Sequence, residues 1–86
     1  MTILCKFCGV VVGMLFAPVL GAHFHAICGE HELVVALSPL RVIQGDAPPR
    51  VRELVLRWAG RHRGELLRAW QACGARCRPQ PIAPLV

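Results

Sequence analysis

Two histidines, His23 and His25, stand one residue apart in the run His23-Phe24-His25-Ala26-Ile27-Cys28-Gly29-Glu30. On a strand this spacing points both rings to one side, roughly 6–7 Å apart. Two imidazoles so placed can bind a metal, hold a phosphate when protonated, or shuttle a proton. A metal needs one or two further ligands. Cys28 projects from the opposite face by alternation, and His31 lies across the turn. The alternative use of the pair is structural: two rings packed at a sheet edge and hydrogen-bonded to backbone.

The other reactive residues form no complete set. Cys5-Lys6-Phe7-Cys8-Gly9 has the spacing of a zinc knuckle, and Cys73 and Cys77 offer two more sulfurs. Their spacing is untypical and begins inside a helical pattern, so the simpler reading is that small apolar cysteines fill core positions. An odd count of five scattered cysteines argues against a disulfide framework and for reduced thiols. Ser38 is the only serine, precedes a proline, and has no nucleophile-elbow context. Glu30 and Glu32 flank His31 and suit a charged hairpin turn better than acid–base work. There is no glycine-rich phosphate loop. These residues predict no metal site and no cofactor, and lean away from an enzyme.

Charge is divided unevenly. Lys6 is the only lysine, all nine arginines lie from Arg41 onward, and the formal net charge is +5. Such asymmetry suggests an acidic partner for the C-terminal half, either nucleic acid or an acidic protein. Arg50, Arg57, Arg61 and Arg68 follow one another at steps of 7, 4 and 7. On one helix they share a direction within roughly 20°. The line can contact phosphates or stand as a solvated face. No recognised DNA-binding motif accompanies it.

The elements that must carry these residues divide at the middle of the chain. Thr2–Phe7 and Val10–Phe16 are apolar and β-branched around Cys8-Gly9, and read as a hairpin. Pro18–Ala22 reads as a loop, His23–Cys28 as a strand, Gly29–His31 as a turn and Glu32–Leu37 as a further strand. Leu40–Ile43 is a short extended piece ended by Gln44-Gly45-Asp46. Such short connections favour antiparallel pairing. From Pro49, Val51, Leu54, Val55, Trp58, His62, Leu66, Ala69 and Cys73 form one stripe at helical period. They predict one long helix from Pro49 to Gly74, with any kink near Gly60 or Gly64. Pro79, Pro81 and Pro84 then make an extended tail. The expected fold is α+β: a small curled antiparallel sheet of about four strands, packed by one long C-terminal helix. Residues 1–78 form a single domain and residues 79–86 a proline-rich tail.

Eighty-six residues leave a marginal core unless a partner, metal or disulfide supports it. The uncharged run from Phe7 to Ala22 imitates a secretory signal, yet glycines and Pro18 interrupt it and a buried hairpin has the same composition. At 16 residues it is short of the roughly 20 that span a membrane.

A set of residues in order carries a family resemblance. It comprises Thr2-Ile3, Phe7-x-Gly9-Val10, Met14, His23-Phe24-His25-Ala26, Gly29-Glu30, Val42-Ile43-x-Gly45 and Pro48. It continues through Val55-x-x-Trp58-Ala59-x-x-His62-Arg63-x-Glu65-Leu66-Leu67-x-x-Trp70 and Ile82-x-Pro84-Leu85. Together these resemble the small bacterial family called domain of unknown function 4160, essentially end to end. The resemblance implies a small cytoplasmic α+β protein with no settled activity, often encoded beside a second small family in a toxin–antitoxin-like arrangement. Members usually carry an Asp-His pair and two prolines before the His-Phe-His-Ala block. Here Pro18, Val19, Gly21 and Ala22 stand in those places, so a third histidine is missing.

The leading expectation is therefore a cytoplasmic interaction protein, one half of a toxin–antitoxin-like pair. It would bind the product of an adjacent small gene, or itself, through His23, Phe24, His25 and Glu30. One alternative is a nucleic-acid-binding regulator using Arg50, Arg57, Arg61 and Arg68. Another is a histidine-dependent nuclease-like toxin. No membrane association is expected.

Overall fold

The structure, a computed structural model, describes residues 1–85. Short turns join consecutive apolar runs, so each strand pairs with its neighbour in sequence. The strands are β1 (Thr2–Phe7), β2 (Val10–Met14), β3 (His23–Cys28), β4 (His31–Leu37) and β5 (Leu40–Asp46). They form one antiparallel meander in the order β1-β2-β3-β4-β5. The connection from β2 to β3 contains a single 3₁₀ turn, Pro18–Leu20.

The α+β class holds, but the sheet has five strands rather than about four. The extended piece expected to stop at Ile43 continues to Asp46 and pairs along β4 from Leu37↔Leu40 to Glu32↔Asp46. A bulge near Ile43 shifts its register. Gly45 then lies at φ +84° against the Glu32 carbonyl, where any side chain would collide. A glycine that looks like a strand terminator in sequence is the residue that lets β5 continue.

Alternation along the ladder divides the sheet into two faces. Val12, Ala26 and Leu33 are cross-strand neighbours, as are Phe24 and Val35. All five are buried, and with Val10, Met14 and Leu37 they form the core face. On β1 a bulge at Leu4 interrupts the alternation, so Leu4 and Cys5 are both buried. The reverse face follows the rows Lys6–Val11–Ile27–Glu32 and Ile3–Gly13–His25–Val34. Met1 folds over Gly13 there. An added Cβ would sit 2.6 Å from the Met1 sulfur.

Two helices close the core face, not one. α1 spans Pro49–Arg61 and α2 spans Arg63–Gly74. Pro49 opens α1 at a position where its missing N–H costs nothing. The break falls at His62, between the two glycines singled out from sequence, where φ is −119° and ψ is 23°. The His62 N–H bonds to both Trp58 and Ala59 carbonyls. Its own carbonyl accepts from Leu66 and starts α2. Val55, Trp58, Ala59, Leu66 and Ala69 of the apolar stripe remain buried across the break.

The tail packs against the body. Ile82 donates its N–H to the Leu4 carbonyl at 3.0 Å, its side chain enters the core, and the Trp58 Nε1–H donates to the Ala83 carbonyl at 2.8 Å. The chain leaves α2 at Gly74, and the proline-rich residues beyond 78 are bonded to the body at Ile82 and Ala83. Val86, the last residue of the expected tail, lies outside the described residues.

Candidate functional site

β3 delivers its two histidines into different surroundings. His25 is half-buried on the reverse face, and its Nδ1–H donates to Glu32 Oε2 at 2.9 Å. The two are diagonal neighbours. The two-residue turn at Gly29-Glu30 pairs Cys28 with His31, so His25 faces Val34 and Glu32 lies two residues away on the same side. Sequence reasoning placed Glu32 beside His31 and missed this pair, although the length of the turn encodes it.

His23, at the start of β3, is fully buried. Its Nδ1–H donates to the Gly21 carbonyl at 2.7 Å. Its ring lies 5.3 Å from that of His25 and 5.1 Å from the Trp70 ring. His23 Nε2 is buried without any hydrogen-bond partner. The histidines are neighbours, but only His25 reaches solvent, so they do not share an open pocket. Among the described residues no three His, Cys, Asp or Glu side chains are grouped to hold a metal.

The remaining residues of the expected contact surface separate further. Phe24 is fully buried in the core, edge to face with Trp58 at 5.9 Å. Glu30 is exposed in the turn at the far end of β3. Of the four, Phe24 lies in the core, His23 is buried beneath Trp70, His25 is half-buried on the reverse face and Glu30 is at a turn tip.

The conspicuous block on the helices acts at joints of the fold. Trp58 fills the core and anchors the tail. His62 sits at the helix break with its Nδ1–H on Glu65 Oε1 at 2.8 Å. Arg63 donates through Nε to the Leu37 carbonyl at 3.0 Å, tying α2 to the end of β4. Trp70 covers His23.

Arg50, Arg57 and Arg61 are exposed on α1, and Arg68 is exposed on α2. The break at His62 interrupts the single helix on which their common line was reckoned. Among the described residues, no arginine forms an ion pair with a carboxylate.

Cys5 is buried and Cys8 is exposed at the hairpin tip. Burial pushes the Cys5 thiol pKa up, despite an opposing hydrogen bond from the Lys6 backbone. Burial likewise raises that of Cys73.

One surface feature was not singled out from sequence. The large apolar side chains exposed among the described residues are Met1, Ile3, Leu15, Phe16, Val19 and Leu20. They come from two segments that the pairings Thr2↔Met14 and Ile3↔Gly13 bring side by side. Val19 is 93% exposed. The signal was the uncharged run itself, part of which forms a strand and part of which stays on the surface. No helix among the described residues is long and apolar enough to cross a membrane.

Comparison with known families gives a match. The family described as "Domain of unknown function (DUF4160)" matches residues 9–71, well over half of the chain. No curated protein and no solved structure matches.

Proposed function

This chain belongs to the DUF4160 family, and we propose that within it the chain works as a protein-binding component rather than as an enzyme. The supporting observation is the apolar corner of Met1, Ile3, Leu15, Phe16, Val19 and Leu20. No charged side chain lies between Phe7 and Ala22, so Leu15, Phe16, Val19 and Leu20 can be desolvated without stranding a side-chain charge. Large apolar side chains left exposed on two adjoining segments favour an interaction site. The partner we propose is the product of an adjacent small gene, in a toxin–antitoxin-like pair.

The test is co-purification with that product, followed by titration of the double variant Leu15→Asp/Val19→Asp. Both side chains are exposed, so the fold should persist while affinity falls at least about tenfold, equivalent to about 1.4 kcal/mol. Failure to form a complex at micromolar concentration, or a complex indifferent to both charges, overturns the reading.

A second reading rests on the arginines, which no carboxylate neutralises among the described residues. Nucleic-acid binding through Arg50, Arg57, Arg61 and Arg68 predicts affinity that falls steeply with salt. Replacing two of them by glutamine should reduce the logarithmic salt slope by about 1.4–1.8. Salt-independent binding rejects it.

A further inference from the structure

A groove of about 560 Å³ runs between α2 and the tail. Arg68, Ala69 and Ala72 line it from the helix, and Arg78, Pro79 and Pro81 from the tail. We infer that this groove binds a phosphate-bearing ligand of mononucleotide size, with the guanidinium groups of Arg68 and Arg78 holding the phosphate. The inference is independent of the apolar corner.

The first support is charge. Glu65 also lines the groove and stands three residues before Arg68 on the same helix, the usual spacing for a helical ion pair. Its Oε1 is taken by His62 instead, at 2.8 Å. Arg68 has no carboxylate partner, and neither has Arg78, among the described residues. Two guanidinium groups without an ion-pair partner, against the single Glu65 carboxylate that His62 holds, leave the concavity with an excess of positive charge. Their planar donor forks suit the oxygens of a phosphate.

The second support is rigidity. The tail wall is fixed at Ile82 and Ala83 by the bonds to Leu4 and Trp58. Pro79 and Ile82 are buried. The groove therefore exists before any ligand arrives, and little ordering cost falls on binding.

The third is shape. The volume lies within the range of small-molecule sites. Ala69, Ala72, Pro79 and Pro81 offer short apolar side chains beside the charges, on which a flat ring can lie. A phosphate of this kind can come from a free nucleotide or from the 5′ end of a nucleic-acid strand.

Calorimetric titration of the full chain decides the matter, with adenosine 5′-monophosphate, a 5′-phosphorylated trinucleotide and unphosphorylated adenosine as probes. At least one phosphorylated probe should bind saturably below millimolar concentration, and adenosine should not. Arg68→Gln and Arg78→Gln should each weaken binding about tenfold or more. Arg41→Gln, on exposed β5, should leave it unchanged. Binding of the monophosphate identifies a free nucleotide as sufficient, and binding of the trinucleotide alone identifies a strand end. The inference is overturned if neither phosphorylated probe saturates by a few millimolar, if adenosine binds as well as its phosphate, or if the groove variants bind like the parent.

Discussion

The imidazole of His23 and the indole of Trp70 lie 5.1 Å apart, at a tilt of 54°. Phe24 and Trp58 make a second contact between the same two stretches of sequence. The His-Phe-His-Ala block and the Trp-to-Trp helix block therefore form one packed unit. In this chain both blocks hold β3 against α1 and α2. His23 contributes its ring and one hydrogen bond, and its second nitrogen remains an unsatisfied buried acceptor in the neutral form.

Such an atom costs about 1–3 kcal/mol relative to a satisfied one. Replacing His23 by leucine removes it while keeping most of the volume beneath Trp70, at the loss of the Gly21 bond. The change should cost less than about 1.5 kcal/mol. His23→Ala leaves a cavity there and should cost about 2–4 kcal/mol. Urea unfolding of the two variants gives the comparison. Equal destabilisation by leucine and alanine would show that the imidazole itself, rather than its bulk, is required.

Trp58 links three parts of the molecule: the core face, α1 and the tail. Trp58→Phe keeps the aromatic contacts with Phe7 and Phe24 but loses the bond to Ala83. It should cost about 1–3 kcal/mol, part of it a lost hydrogen bond and part a smaller ring. Its distinctive mark should be local. Trypsin should cut after Arg76 faster in Trp58→Phe than in the parent, before global unfolding, because the tail loses an anchor. Unchanged cleavage at that site would mean that Ile82 alone holds the tail.

The strands up to Leu37 were legible because short apolar runs separated by turn residues admit little besides a meander. The helix stripe was legible for the same reason: its period survives the break at His62. Three features were not. The continuation of β5 depends on the backbone of Gly45 meeting that of Glu32, which no local pattern reports. The break at His62 follows from a backbone conformation shared with neither Gly60 nor Gly64. The burial of His23 depends on Trp70, 47 residues away in sequence. Of the residues expected to make a contact surface, alternation correctly placed His23 and His25 on one side of β3, but it cannot say which of the two is covered. The diagonal pairing of His25 with Glu32 could have been read, since a two-residue turn fixes the register completely.

The cysteines give a prediction with a definite sign. Burial raises the thiol pKa of Cys5 and of Cys73 above 9.0. On unfolding each returns to its ordinary value. Above about pH 9 the unfolded chain therefore releases protons that the folded chain keeps, and the folded state binds more protons than the unfolded one. Stability must then fall as pH rises beyond 9, until the folded thiols also ionise. The contribution is fully present at neutral pH. Urea midpoints measured from pH 7 to 10.5 should decline at the alkaline end, and the decline should flatten in Cys5→Ala/Cys73→Ala. The same burial orders the thiols in reactivity, because the thiolate is the nucleophile and must be reached. Exposed Cys8 and Cys77 should be alkylated first at pH 8, and Cys5 and Cys73 much more slowly. Peptide mapping after a short iodoacetamide pulse reads this order directly. Labelling of Cys5 as fast as Cys8 would mean that β1 opens far more often than its packing allows.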